Sequence, residues 1–312
     1  PTIGFVFGSQ ADVRYEAARN GWLTLYPDFN QNYTQVSNEI FKSTVNIDLL
    51  PDLKIDLSLD RAYSENFSEQ YDISNGNYNS RSPYNYGMFA ISTILIKTSF
   101  STSDENSSAA FDDFRSNRLP IANRLATEKG IDLSNPANID AEGYPKGFGK
   151  NNQAVLLPAF LAAYSGESAS STSLGIFKSF PVPNWSIKYN GLMRFDFFKK
   201  NFKRFSLQQN YIASYSISAF RSNFEYDKNP NGVDISGNYY NKTIMSNVNL
   251  VERFNPLIRM DFELKNSLKI LTEIKKDRAL SMSFDNNLLT EVNGIEYVVG
   301  MGYRIKDVVI SS

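Results

Sequence analysis

This sequence predicts an all-β membrane protein: a portion of an antiparallel transmembrane β-barrel with one helix-containing insertion. Three observations carry that expectation. Long stretches alternate between apolar and polar residues, short turns between them alternate with long polar loops, and residues 100–184 abandon the alternation for a helical period. Successive strand side chains point to opposite faces, so the alternation calls for an apolar medium on one side of a sheet and a polar one on the other.

Taken in chain order, the first clear unit is 41–63. Phe41, Val45, Ile47 and Leu49 lead into Leu50-Pro51-Asp52, and the chain returns through Leu53, Ile55, Leu57 and Leu59. Lys42, Thr44, Asn46 and Asp48, then Lys54, Asp56, Ser58 and Asp60, fall between them, which predicts a β-hairpin with charge on one face. Residues 66–84 are rich in Asn, Ser and Tyr and predict a polar loop; 86–97 predict another strand. The expected organisation is barrel strands and loops in 1–98, an insertion packed on or in the barrel in 99–184, and further strands in 185–312.

Within the insertion, Phe111, Phe114, Ile121 and Leu125 share one helical face, with Pro120 inside the helix and Gly130 placed to end it. Asp112, Asp113, Arg115 and Arg124 are expected outside. A second helix, 154–164, is apolar nearly all round and includes Pro158. At 11 residues it is too short to cross a bilayer, so it should bury itself in protein. The Ser-rich run 165–173 has the composition of a flexible connector.

Strand patterning resumes at Trp185-Ser186-Ile187-Lys188-Tyr189 and is clearest over 205–219. There Leu207, Tyr211, Tyr215 and Ile217 are expected to face lipid, and Ser206, Gln208, Asn210, Ser214, Ser216 and Ser218 a polar lumen. A long polar loop, 222–241, leads to a strand at 244–250. Farther on, Ile258, Met260, Phe262 and Leu264 are lipid-facing candidates opposite the lumen-facing candidates Arg259, Asp261, Glu263 and Lys265. Lys275-Lys276-Asp277-Arg278 suggests a turn before Leu280, Met282 and Phe284, and 295–306 alternates once more. Tyr86, Trp185, Tyr189, Phe205 and Tyr240 are candidates for an aromatic girdle at the membrane interfaces.

Composition narrows the chemistry. The 312 residues contain no Cys and no His, which removes disulfides, thiol nucleophiles, zinc-thiolate sites and the commonest general base. The 32 basic and 33 acidic residues leave no basic footprint for nucleic acid. The basic cluster Lys199, Lys200, Lys203 and Arg204, threaded through Phe195, Phe197, Phe198, Phe202 and Phe205, suits either a lipid headgroup level or a solvated turn.

The loop 227–234 starts like a calcium loop, but its twelfth position is Asn238 where a bidentate Glu is needed, which favours a plain turn. The pairs Asp112/Asp113 and Asp261/Glu263 fit solvated or cross-strand-paired charges better than acid and base. Neither an enzyme nor a cofactor or metal site is expected. Pro1 to Phe7 look like strand rather than a signal peptide. The missing Met and the strand-like run after Tyr303 suggest a fragment. On pattern alone, a soluble β-sandwich stays open beside the barrel.

The run Ala154-Val155-Leu156-Leu157-Pro158-Ala159-Phe160-Leu161-Ala162-Ala163-Tyr164-Ser165-Gly166 resembles the C-terminal region of the SprA/Sov family. So do Pro183-Asn184-Trp185-Ser186-Ile187-Lys188-Tyr189-Asn190-Gly191-Leu192 and Phe198-Lys199-Lys200-Asn201-Phe202-Lys203-Arg204-Phe205. That family is the outer-membrane translocon of type IX secretion in Bacteroidetes, linked in many members to gliding motility. The resemblance implies a cell outer-membrane location and a wide pore for folded proteins bearing a C-terminal secretion signal. It also implies a PorV-type barrel and a periplasmic plug protein as partners, with membrane lipid around the wall. A TonB-dependent-type transporter and a surface-displayed β-sheet adhesin are the alternatives.

Overall fold

The computed structural model describes residues 8, 11–24, 32–101, 103–104, 107–303 and 305. The strand expected at 1–7 and most of the strand-like run after Tyr303 lie outside them. The described chain is mostly antiparallel β-sheet with few helices, and no described helix is long and apolar enough to cross a membrane.

The strands are β1 (Tyr33–Leu50), β2 (Leu53–Ser74), β3 (Asn77–Ser92), β4 (Asn184–Tyr189), β5 (Phe202–Ser222), β6 (Thr243–Met245), β7 (Asn247–Leu264), β8 (Leu268–Ser283) and β9 (Leu288–Tyr303). The sheet order is β1-β2-β3-β5-β7-β8-β9. β4 pairs with the same neighbours as β3, namely β2 and β5, and continues its track; β6 likewise leads into β7 along β5. β1 and β9 are the outer strands, and neither has a second neighbour among the described residues.

The hairpin of β1 and β2 turns on Pro51-Asp52 as expected. Several expectations need correction. Residues 66–84 are not a loop: β2 runs on to Ser74, and Asn75 and Gly76, with φ of 52° and 71°, form a tight turn into β3. Asn-Gly is favoured there because both central residues need positive φ. Polar residues on both faces of these arms hid the period of two. β3 stops at Ser92, so 93–97 are not strand. Lys275 to Arg278 are no turn but lie inside β8; the chain reverses at Lys265-Asn266-Ser267.

The insertion leaves the sheet where β3 ends and returns where β4 begins, so a single strand track is split. Ala213 on β5 bridges the split: its carbonyl accepts from Thr93 N at 3.0 Å, and its N–H donates to Asn184 Oδ1 at 2.8 Å. Since β3 and β4 both run antiparallel to β2 and β5, the up-and-down alternation of the sheet is kept across the insertion.

Among the described residues the α-helices are α1 (Arg14–Arg19), α2 (Ala109–Glu128), α3 (Gln153–Ser165), α4 (Asp196–Asn201) and α5 (Phe224–Lys228). Ser108 caps α2, and Asn152 caps α3 by accepting from Ala154 N at 2.8 Å. Gly166, with φ of 67°, ends α3 in the left-handed conformation that glycine tolerates. Every residue of α3 from Val155 to Ser165 is buried, so the helix lies inside the insertion, against the sheet.

Phe114, Ile121 and Ala126 of α2 join the same core, while Phe111 stays exposed. Arg124 is not on the outside: its Nη1 donates to the carbonyls of Ala169 at 2.7 Å and Thr172 at 2.9 Å. That bond packs the Ser-rich run 165–173 in place, with Thr172 buried. α1 sits by the far end of β2 and β3. There Arg14 pairs with Glu69 and holds the Asp12 carboxyl below the usual range through a side-chain hydrogen bond.

Candidate functional site

The candidate site is the sheet itself, because its two faces differ chemically. Follow one face across the half of the sheet nearest the Pro51-Asp52 turn. Register partners give Val45 beside Leu57, Leu57 beside Trp185, and Ile47, Ile55 and Ile187 in a row. The row continues from Tyr189 to Leu207, Met260, Thr272 and Val299, with Phe205, Phe262, Ile270 and Met301 alongside. From the row of Tyr189 to the turn end the band crosses the strands without a charged side chain, and the row of Leu57 and Trp185, continued through Tyr211 and Phe254, meets Lys276 on β8. The band stays open at its ends: Val45 is 43 % exposed, Val299 71 % and Met301 74 %.

The opposite face of the same half is charged and paired. Arg204 Nη2 lies 2.9 Å from Asp261, Lys203 Nζ 3.4 Å from Glu263, Arg259 Nη1 3.6 Å from Glu273, and Lys275 Nζ 3.2 Å from Glu296. Farther along, Asn46 donates to Asp56 across β1 and β2 at 2.6 Å. Exposed pairs of this kind contribute only about 0–1 kcal/mol each, so they set a near-neutral hydrophilic lining more than they hold the sheet together.

The structure brings the lumen-facing candidates Ser206, Gln208, Asn210, Arg259, Asp261 and Glu263 together on this charged face. Ser214, Ser216 and Ser218 extend it toward the other end. Lys265 is separated from them, since it lies in the turn after β7. On the apolar face, Leu207, Ile258, Met260, Phe262 and Leu264 belong to the band.

Tyr211, Tyr215 and Ile217 do not, and this corrects the lipid-facing assignment. All three are fully buried in the core shared with the insertion. Alternation fixes which face a residue takes but not what covers that face, and here helices cover it.

The girdle candidates scatter. Trp185 stands at the insertion edge of the band, stacked on Tyr211 with ring centroids 4.3 Å apart and donating to Gln209 at 2.7 Å. Tyr189 lies toward the turn end, and Phe205 stacks on Phe262 inside the band. Tyr86 instead lies on the opposite face, paired with Asn66 and Arg221 near the far end. Tyr240 belongs to the long loop, its N–H bonded to Gly232.

Where band and insertion meet, a buried polar knot appears. Glu252 Oε1 accepts from the Tyr211 hydroxyl and from Ser99 Oγ, both at 2.6 Å, and its Oε2 lies 3.1 Å from Arg278 Nη2. Arg278 also donates to the carbonyls of Thr98 at 2.9 Å and Leu95 at 3.2 Å, and Lys276 donates to the Ser99 carbonyl. These groups hold the segment that leaves β3. Reading the sequence missed them, although a signal was present: Glu252 sits in phase with Leu250 and Phe254, and Arg278 with Leu280 and Met282, at apolar positions of the alternation.

The loop 227–234 is an ordinary turn: Asp234 Oδ1 accepts from the N–H groups of Ser236 and Asn238 at 2.8 and 2.9 Å. Among the described residues no cluster of three metal-ligating side chains occurs. No protein-family model matches the chain, and no curated protein matches it at a significant level.

Proposed function

We propose that this chain forms part of the wall of a β-barrel in the outer membrane, with the apolar band toward lipid and the charged face toward an aqueous lumen. One observation carries the reading: an uncharged band and a charge-paired surface occupy opposite faces of the same strands, register for register. A soluble sheet of this size would cover its apolar face along its whole length, and here half of it lies open.

The dimensions agree. From Ile295 to Tyr303 β9 covers nine residues, close to the ~9–11 that a tilted strand needs to cross a bilayer. The strands themselves run to 18 residues in β1 and 21 in β5, so half of each projects beyond the hydrocarbon. That outer half is where the insertion packs. Because it packs on the apolar side, the insertion stands outside the barrel, at the membrane rim and not in the lumen.

The edges of β1 and β9, unpaired among the described residues, call for further strands to close the wall, since unpaired strands of 16 residues or more template aggregation. In the resemblance to the SprA/Sov family, the wall belongs to the protein-conducting channel of type IX secretion. Its hydrophilic, near-neutral lining would let folded cargo with a C-terminal secretion signal pass without strong binding, with PorV-type and plug proteins as partners. The reading gives the chain no catalytic role.

The chain has no cysteine, so single Cys residues at 295–303 in the full-length protein make a direct test. Labelling in outer membranes by a bilayer-confined reagent is expected at Tyr297, Val299 and Met301, and by a water-soluble reagent at Glu296 and Val298. Absence of lipid labelling at all three odd positions would sink the wall and favour a soluble or adhesin-like sheet.

A further inference from the structure

At the turn end of the band, α4 follows the short 3-10 turn Gly191–Arg194 and lies on the apolar face. Phe198 anchors it, stacked on Phe202 at 5.6 Å between ring centroids and edge-on to Phe205 at 5.0 Å. This seat turns Phe195 and Phe197 outward, 59 % and 67 % exposed.

Lys199 and Lys200 stand exposed beside them, and among the described residues neither enters an ion pair or a side-chain hydrogen bond. The next two cations behave differently, Lys203 being held by Glu263 and Arg204 by Asp261. Water solvates the two ammonium groups but not the two open phenyl rings beside them. Both needs are met at the level where acyl chains give way to anionic headgroups.

We propose that α4 is a lipid anchor: Phe195 and Phe197 insert among acyl chains, and Lys199 and Lys200 bind the phosphates of anionic phospholipids in the leaflet at the Pro51-Asp52 end. The long loop 223–242 lies at the other end of the sheet, and outer-membrane barrels carry their long loops on the extracellular side, which assigns the anchor to the periplasmic leaflet. The anchor rests on the wall reading above. Each unpaired lysine at an anionic surface strengthens the attraction about fivefold, and salt weakens it by screening.

The test uses the full-length protein in nanodiscs holding equal phosphatidylglycerol and phosphatidylcholine, with the lipids retained after detergent extraction counted by native mass spectrometry. Phosphatidylglycerol is expected to be enriched. The enrichment should fall about fivefold or more in K199Q/K200Q and at high salt, and should persist in K54Q/K188Q on the opposite face. Undiminished enrichment in K199Q/K200Q overturns the proposal. Quenching of a Tyr297→Trp variant by brominated acyl chains tests the wall separately: quenching with undiminished enrichment removes the anchor alone, and no quenching removes wall and anchor together.

Discussion

Glu252 and Arg278 are register partners on β7 and β8, with carboxylate and guanidinium 3.1 Å apart and both side chains nearly inaccessible to solvent. They lie with Lys276 on the largely apolar face, at the line where the open band gives way to the core beneath the insertion. Through Arg278, Tyr211 and Ser99 the pair fixes residues 95–99, the first turn of chain to leave the sheet.

Removing one member should therefore strand the other. Glu252→Gln or Arg278→Met is expected to destabilise the insertion by about 3–5 kcal/mol, and Glu252→Leu with Arg278→Met to recover most of the loss. Denaturant midpoints for proteolytic protection of residues 93–183 would show this. A single variant within about 0.5 kcal/mol of the parent would contradict the role given to the pair.

The band predicts an asymmetry between faces. Val299→Arg should cost about 2–4 kcal/mol if position 299 lies deep in lipid, whereas Lys275→Gln on the charged face should cost about 0–1 kcal/mol. Val299 is already open, so in water an arginine there would be tolerated. Equal tolerance of both substitutions in membrane-assembled protein would argue against lipid contact.

Phe160 of α3 is fully buried, and Phe160→Ala should destabilise the insertion by about 3–5 kcal/mol through lost contact and the cavity left behind. The band draws nothing from α3, so bilayer labelling at 297, 299 and 301 is expected to survive the substitution. Joint loss of both signals would mean that the two halves fold as one unit.

Alkali gives a further handle on the insertion. Burial, helped by the Glu291 carboxylate, pushes the Tyr164 hydroxyl up to about 12. A raised folded pKa favours the neutral form, so its contribution to stability is complete below the ordinary tyrosine value near 10 and is lost as pH rises toward 12. The insertion should loosen across that window, with a shallower pH slope in Tyr164→Phe. Identical slopes in parent and variant would assign the effect to other tyrosines.

Much of this architecture was legible residue by residue. The Pro51-Asp52 hairpin, both buried faces of α3, the glycine that ends it, and the alternation in β5, β7 and β9 all follow from local chemistry. The Asn75-Gly76 turn carries the same local signal, but polar residues on both faces of its arms mask the period of two. Lys275 to Arg278 run as strand for a physical reason: four charged residues in a row suit a turn unless partners await them on both faces, and here Lys275 meets Glu296 of β9 while Lys276 and Arg278 meet β7 and residues 95–99.

The sequence by itself determined the period of two, hence which side chains share a face, because strand geometry permits no other arrangement. It also determined that α3 must be enclosed, since a short helix that is apolar all round has no stable place in water. Only the tertiary structure decided what each face meets. Tyr211, Tyr215 and Ile217 carry the same alternation as Leu207, yet they lie under the insertion while Leu207 lies in the band. The difference arises because β3 breaks at Ser92 and its track resumes only at Asn184, delivering the helices to one half of one face. Coverage of a sheet depends on contacts distant along the chain, and no local pattern encodes them.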